Sequence, residues 1–155
     1  MQPRGDRRFP IFPRRTGAPR LGAGTGLVLT LVVAVPTLAF AEDWHGRPLI
    51  DQGGLGWLVP AVIVALAFAA GGAVAGRHGV SLGRALREGL WVGIPGVLAL
   101  LAADAVRRLV MNPTLPNGVI AYWLEGAAAA IFFTLAGAAA GRLLAGRWRA
   151  ASPAG

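Results

Sequence analysis

Cysteine and lysine are both absent from this 155-residue chain. Without cysteine there are no disulfides, thiolate metal ligands, c-type haem attachments or cysteine nucleophiles. Without lysine there is no Schiff base, which removes retinal and PLP as cofactors. His45 and His78 are the only histidines, and the orientation that the arginines set puts them on opposite sides of the membrane, against a histidine-built metal or bis-histidine haem site. Charged residues make up 14% of the chain, against roughly 25% in soluble domains. Neither G-x-S-x-G, H-E-x-x-H nor a Walker A loop occurs. The glycine-rich "GAGTG" at 22–26 follows no strand and opens an apolar run, so it reads as helix packing, not as a phosphate cradle. These absences point away from an enzyme and leave no expected cofactor.

What remains is apolar. Hydrophobic residues reach 55% and mean hydropathy is +0.58. A helix crossing a bilayer needs roughly 20 apolar residues, and four stretches meet that length: 21–41, 55–76, 89–110 and 119–145. Short connectors rich in turn formers, such as "HGRPLIDQGG" and "NPTLPNG", separate them. The expected fold is therefore an all-α integral membrane protein with four transmembrane helices in a small bundle. Residues 1–20 form an Arg/Pro-rich tail expected to be disordered, and 146–155 form a second tail.

All fifteen basic residues are arginine, and their placement sets an orientation. Twelve lie in the segment before residue 21, the 77–88 connector and the C-terminal end; three (Arg47, Arg107, Arg108) lie in the alternate segments. Cytoplasmic loops gather arginine, so both termini are expected inside. The acidic connector 42–54 (Glu42, Asp43, Asp51) then faces out, with Trp57, Tyr122 and Trp123 in the outer aromatic belt and Trp91 in the inner one. The same rule accounts for the net charge of +8 without nucleic acid as a partner. The arginine-, alanine- and glycine-rich composition suits a bacterial cell (inner) membrane.

The first stretch supports a second reading. An arginine-rich start, an apolar run from Leu27, Pro36 and the small-x-small triplet Ala39-Phe40-Ala41 together fit a signal peptide cleaved after Ala41. That would leave three spans. Retention of the first helix is the preferred reading, because it shares a glycine pattern with the other three.

That pattern is Gly-x-x-x-Gly, in Gly22/Gly26, Gly72/Gly76, Gly89/Gly93 and Gly137/Gly141, each near the cytoplasmic end of its span. Glycines four apart share one helical face and let backbones approach where lipid gives no hydrophobic drive between helices. A repeat at an offset of 65 residues overlies it. "GGAVAGR" (71–77) aligns with "AGAAAGR" (136–142), and Gln52, Gly53 and Trp57 align with Asn117, Gly118 and Tyr122. Two tandem helical hairpins are the layout this suggests; spans one and three match only through Gly24 and Gly89.

Ionisable groups within spans are costly and are candidate functional residues. Asp104 has Arg107 and Arg108 at i+3 and i+4, close enough to pair on one helical face. Glu125 enters the fourth span two residues after Trp123. Asp104, Arg107, Arg108 and Glu125 form a candidate polar cluster in the outer leaflet, with Asn112, Asn117 and His45 in the connectors above it. Either the cluster couples protons or binds a cation, or its charges only fix packing and reach toward headgroups. The structural alternative is preferred. Pro95 in "GIPG" is a candidate hinge or static kink.

The expected function is an accessory, assembly or structural subunit, with the bilayer and a membrane-protein partner or a second copy as its contacts. A small oligomeric transporter or channel using Asp104 and Glu125 is the alternative.

Overall fold

The computed structural model describes residues 18–40, 58–111 and 119–151, and all of its regular structure is helical. In chain order the helices are α1 (Ala18–Phe40), α2 (Leu58–Gly76), α3 (Leu82–Met111) and α4 (Val119–Ala151). Among the described residues, three stretches are long and apolar enough to cross a membrane: Leu58–Gly76, Leu82–Val110 and Trp123–Trp148, with mean hydropathies of 2.3, 1.8 and 1.7. α1 contributes a shorter apolar stretch, Gly22–Thr37.

The helices outrun the apolar stretches that mark them. α1 begins at Ala18, inside the expected tail, and α4 continues to Ala151, beyond the expected span end at 145. α3 starts at Leu82, seven residues before the expected span. Hydropathy ends where polar residues begin, but arginine and alanine are good helix formers, so the backbone ladder continues. Ser81 supplies the start of α3: its hydroxyl accepts from the Arg84 N–H at 3.3 Å, an N-cap. Proline does not interrupt the helices. Pro36 lies inside α1 and Pro95 inside α3, and each helix runs on past it. Pro60 is the third residue of α2, where no intrahelical donor is lost.

The α2–α3 connection turns tightly at one end of the bundle. Arg77 N–H donates to Ala73 O at 3.1 Å and Gly79 N–H to Gly76 O at 2.9 Å. A Cβ on Gly79 would lie 2.8 Å from the Ala85 backbone nitrogen, so this turn has no space for a side chain. Arg142 of α4 donates to Val80 O at 3.1 Å, bringing the end of α4 to the same turn. The His78 ring packs where a Gly22 side chain would sit, bringing the start of α1 there too. This end carries Arg77, Arg84, Arg87, Arg142 and Arg147, and is called the arginine end below.

The core is thin. Ala34, Ala67, Phe68, Val97, Leu100 and Ala130 form its main cluster, and Ala23, Ala75 and Val92 a second one nearer the arginine end. Outside it the helices are apolar all round: Leu98 is 61% exposed, Val106 61%, Phe132 65% and Trp148 76%. A water-soluble bundle turns such side chains inward along one stripe per helix; helices apolar on every face belong to a large core or a membrane.

Candidate functional site

The helix seams account for most of the polar and glycine chemistry of the bundle. α2 and α4 pack most extensively, and they do so backbone against backbone. A Cβ on Gly72 would collide with the Thr134 carbonyl, and one on Gly76 with that of Ala138. From the other side, a Cβ on Gly137 would strike the Ala69 carbonyl and one on Gly141 the Ala73 carbonyl. Gly72 and Gly137 are 65 positions apart, as are Ala69 and Thr134. Each contact thus has a counterpart with the two helices exchanged. The pair has a local two-fold relation along its length, the arrangement glycine-mediated parallel helix pairs favour. Such close approach also brings Cα–H groups toward carbonyl oxygens, a weak extra attraction.

The two hairpins close in the same axial register. In the first, Gly26 meets Gly71, and the Thr30 hydroxyl donates to both Gly26 O (2.9 Å) and Ala67 O (3.3 Å). In the second, Gly89 meets the Ala138 methyl and Gly93 the Thr134 side chain. Carried forward 65 positions, the Gly26–Gly71 contact falls on Trp91 and Ala136, midway between those two approaches. The faces differ, however. α1 sits on Ala67 and Gly71 of α2, whereas α3 sits on Thr134 and Ala138 of α4, which correspond to Ala69 and Ala73. Two residues on a helix is about 200° of rotation, so the repeat governs register along the helices but not their arrangement.

Thr30 and Thr134 are fully buried. Thr134 donates to Ala130 O at 2.7 Å within its own helix. A hydroxyl bonded back to the i−4 carbonyl is satisfied without a partner helix; Thr30 adds the second, interhelical bond. Nothing in the spacing singled these threonines out, because their use depends on which faces meet.

At the other end of α3, away from the arginine end, Asp104 is the one buried charged residue among those described. It accepts three hydrogen bonds: from Arg107 Nη2 at 3.0 Å, Arg108 Nε at 2.7 Å and Trp123 Nε1 at 2.7 Å. Both arginines form ion pairs with it and are largely covered. Helical spacing dictates the first two contacts. The third crosses to α4 and was not legible in the sequence, where Trp123 reads as an interfacial aromatic. An indole N–H buried near a carboxylate finds it as partner, and the bond ties α3 to the first turns of α4.

Glu125 lies apart from this network. It is exposed, and the described bonds of Asp104, Arg107 and Arg108 do not include it. His45, Asn112 and Asn117 fall outside the described residues. Pro95 is half-buried in a continuous helix. Chemically, the Asp104 cluster is a fixed ion-pair clamp: its carboxylate oxygens already hold three donors. Among the described residues no group of three His, Cys, Asp or Glu side chains could hold a metal ion. Comparisons with protein-family models, with curated proteins and with solved structures found no match to this chain.

Proposed function

We propose that the chain is a four-span membrane protein with both termini in the cytoplasm, acting as an accessory, assembly or structural subunit through helix contacts. One observation carries this reading: the interior is closely packed, while the exterior is apolar and open. Phe68, Val92, Thr30 and Thr134 fill the interior with no exposed surface, and glycine seams bring backbones into contact around them. Among the described residues, the buried polar side chains Thr30, Asp104 and Thr134 all bond within the bundle. Large aliphatic and aromatic side chains cover the outside, the material of a surface that meets lipid or another apolar helix.

The interlocking of α1 with α2 supports a retained first helix over a cleaved signal peptide, since removal after Ala41 would expose the Gly71 and Ala67 backbone. The arginine bias supports the cytoplasmic placement of the arginine end, which puts the Asp104 clamp in the outer leaflet.

The test is purification of the full chain from membranes in mild detergent. The expected result is a stoichiometric membrane protein, or a second copy, that co-purifies and cross-links to the α1–α4 exterior. Proton- or cation-dependent flux in liposomes holding only this chain would overturn the subunit reading in favour of a transporter. An intact mass beginning at Glu42 would overturn the four-span reading.

A further inference from the structure

α1 and α3 part at the arginine end and leave a groove of about 790 Å³, open to the outside of the bundle. Its α3 wall is a single helical stripe: Arg84, Arg87, Trp91 and Pro95, in that order from the helix start. Its α1 wall is Ala23, Gly24 and Leu27. Arg84 and Arg87 are exposed, one helical turn apart, and the Trp91 ring lies a turn further in. The lining thus runs from cationic through aromatic to apolar.

The length of this gradient matters. Arg84 to Pro95 spans eleven residues, about 16 Å at 1.5 Å per residue, close to half of a hydrocarbon core about 30 Å thick. One leaflet of a bilayer has the same depth and the same polarity order. Glycine deepens the groove without serving the helix seams. A Cβ on Gly24 or on Gly83, which also lines the groove, would meet nothing within 4 Å, whereas one on Gly26 would strike the Gly71 carbonyl. Gly24 and Gly26 of "GAGTG" therefore do different things: Gly26 closes a seam and Gly24 leaves one open.

We infer that this groove binds one anionic glycerophospholipid of the cytoplasmic leaflet. Arg84 and Arg87 take the phosphate, Trp91 sits at the glycerol level, and an acyl chain lies along Gly24, Leu27 and Pro95. Basic pockets between spans on the cytoplasmic side recognise lipid headgroups in this way. Glu88, half-buried on the same wall, adds an acceptor beside the two cations. It favours a headgroup that carries hydroxyl donors next to its phosphate, as phosphatidylglycerol does. The inference rests on the four-span reading with the arginine end inside, and names a lipid as one further contact of that surface.

The test is native mass spectrometry of the full chain in detergent, titrated with phosphatidylglycerol or phosphatidylcholine, alongside membrane fractionation of the same expression culture. The expected result is one retained phosphatidylglycerol per chain, bound at least tenfold more tightly than phosphatidylcholine. The double variant Arg84→Gln/Arg87→Gln should lose that preference. Gly24→Leu adds bulk to the groove wall at a position where a Cβ meets nothing within 4 Å, and should lose the bound lipid without lowering the melting temperature. Equal retention of the two lipids, or full retention in Gly24→Leu, overturns the inference. So does a protein partner that Gly24→Leu alone releases, or an equal effect from inorganic phosphate. A chain that fractionates to the membrane yet binds no lipid sinks only the groove; a chain in the supernatant sinks the membrane reading as well.

Discussion

The two ends of α3 hold it to its neighbours by opposite means. Toward the arginine end, Gly89 lets α4 approach until the Ala138 methyl fills the space of a missing side chain, and Gly93 faces the Thr134 side chain at contact distance. At the far end a buried carboxylate, two guanidinium groups and an indole make the junction. The glycine seam works through contact area and has no space for a side chain at Gly89. The polar clamp works through a few directional bonds, and tolerates no lost one. Where lipid rather than water is the solvent, apolar side chains gain little by leaving it, so helices adhere through close packing or hydrogen bonds. The molecule uses each where the other is absent.

That contrast breaks first at the α2–α4 seam. Gly72→Leu and Gly137→Leu place a branched side chain against a carbonyl and should each cost about 3 kcal/mol or more, beyond the usual 1–3 of overpacking. The local two-fold relation sharpens this: the two losses should agree within about 1 kcal/mol in detergent unfolding, and a large disparity would deny the equivalence of the two contacts.

Next comes the clamp. Asp104→Asn removes the carboxylate charge that two covered guanidinium groups share, and should cost about 2–4 kcal/mol, around the lower end of the range for breaking a buried pair. Trp123→Phe removes one donor to a charged acceptor and should cost about 1.5 kcal/mol, with α4 loosening at its start in hydrogen exchange. Glu125→Gln, by contrast, should change stability by less than about 0.5 kcal/mol, as befits an exposed side chain. A loss as large as that of Asp104→Asn would place Glu125 in the clamp after all.

The smallest effect is expected at Thr30→Val. The interhelical bond to Ala67 O is one of two that the hydroxyl makes, and such bonds between membrane helices average about 0.6 kcal/mol. Scanning calorimetry on the purified chain resolves it against Gly126→Ala, where a Cβ meets nothing within 4 Å and no packing cost is expected.

Composition and spacing made much of this legible. Asp104 with Arg107 and Arg108 was readable because three and four residues along a helix is adjacency, whatever surrounds it. Gly72 with Gly76 and Gly137 with Gly141 were readable for the same reason, whereas Gly71, which meets Gly26, was not. Trp123 was hidden: its partner lies 19 residues away on another helix, and an aromatic near a span end has an interfacial reading of its own. Glu125 misled in the opposite sense, since a charge near a span suggests a partner even when its face turns outward. The groove was hidden too, because nothing local distinguishes Gly24 from Gly26.

By itself, then, the order of residues determined what acts over one or two helical turns: where apolar helices form, which side chains share a face, and which glycines lie four apart. Tertiary structure alone decided which faces meet. The repeat carries the axial register from one hairpin to the other, yet α1 and α3 settle on opposite sides of equivalent helices. Rotation about a helix axis follows from the fit of whole surfaces, and two positions along the chain, about 200° of turn, separate a closed seam from an open groove.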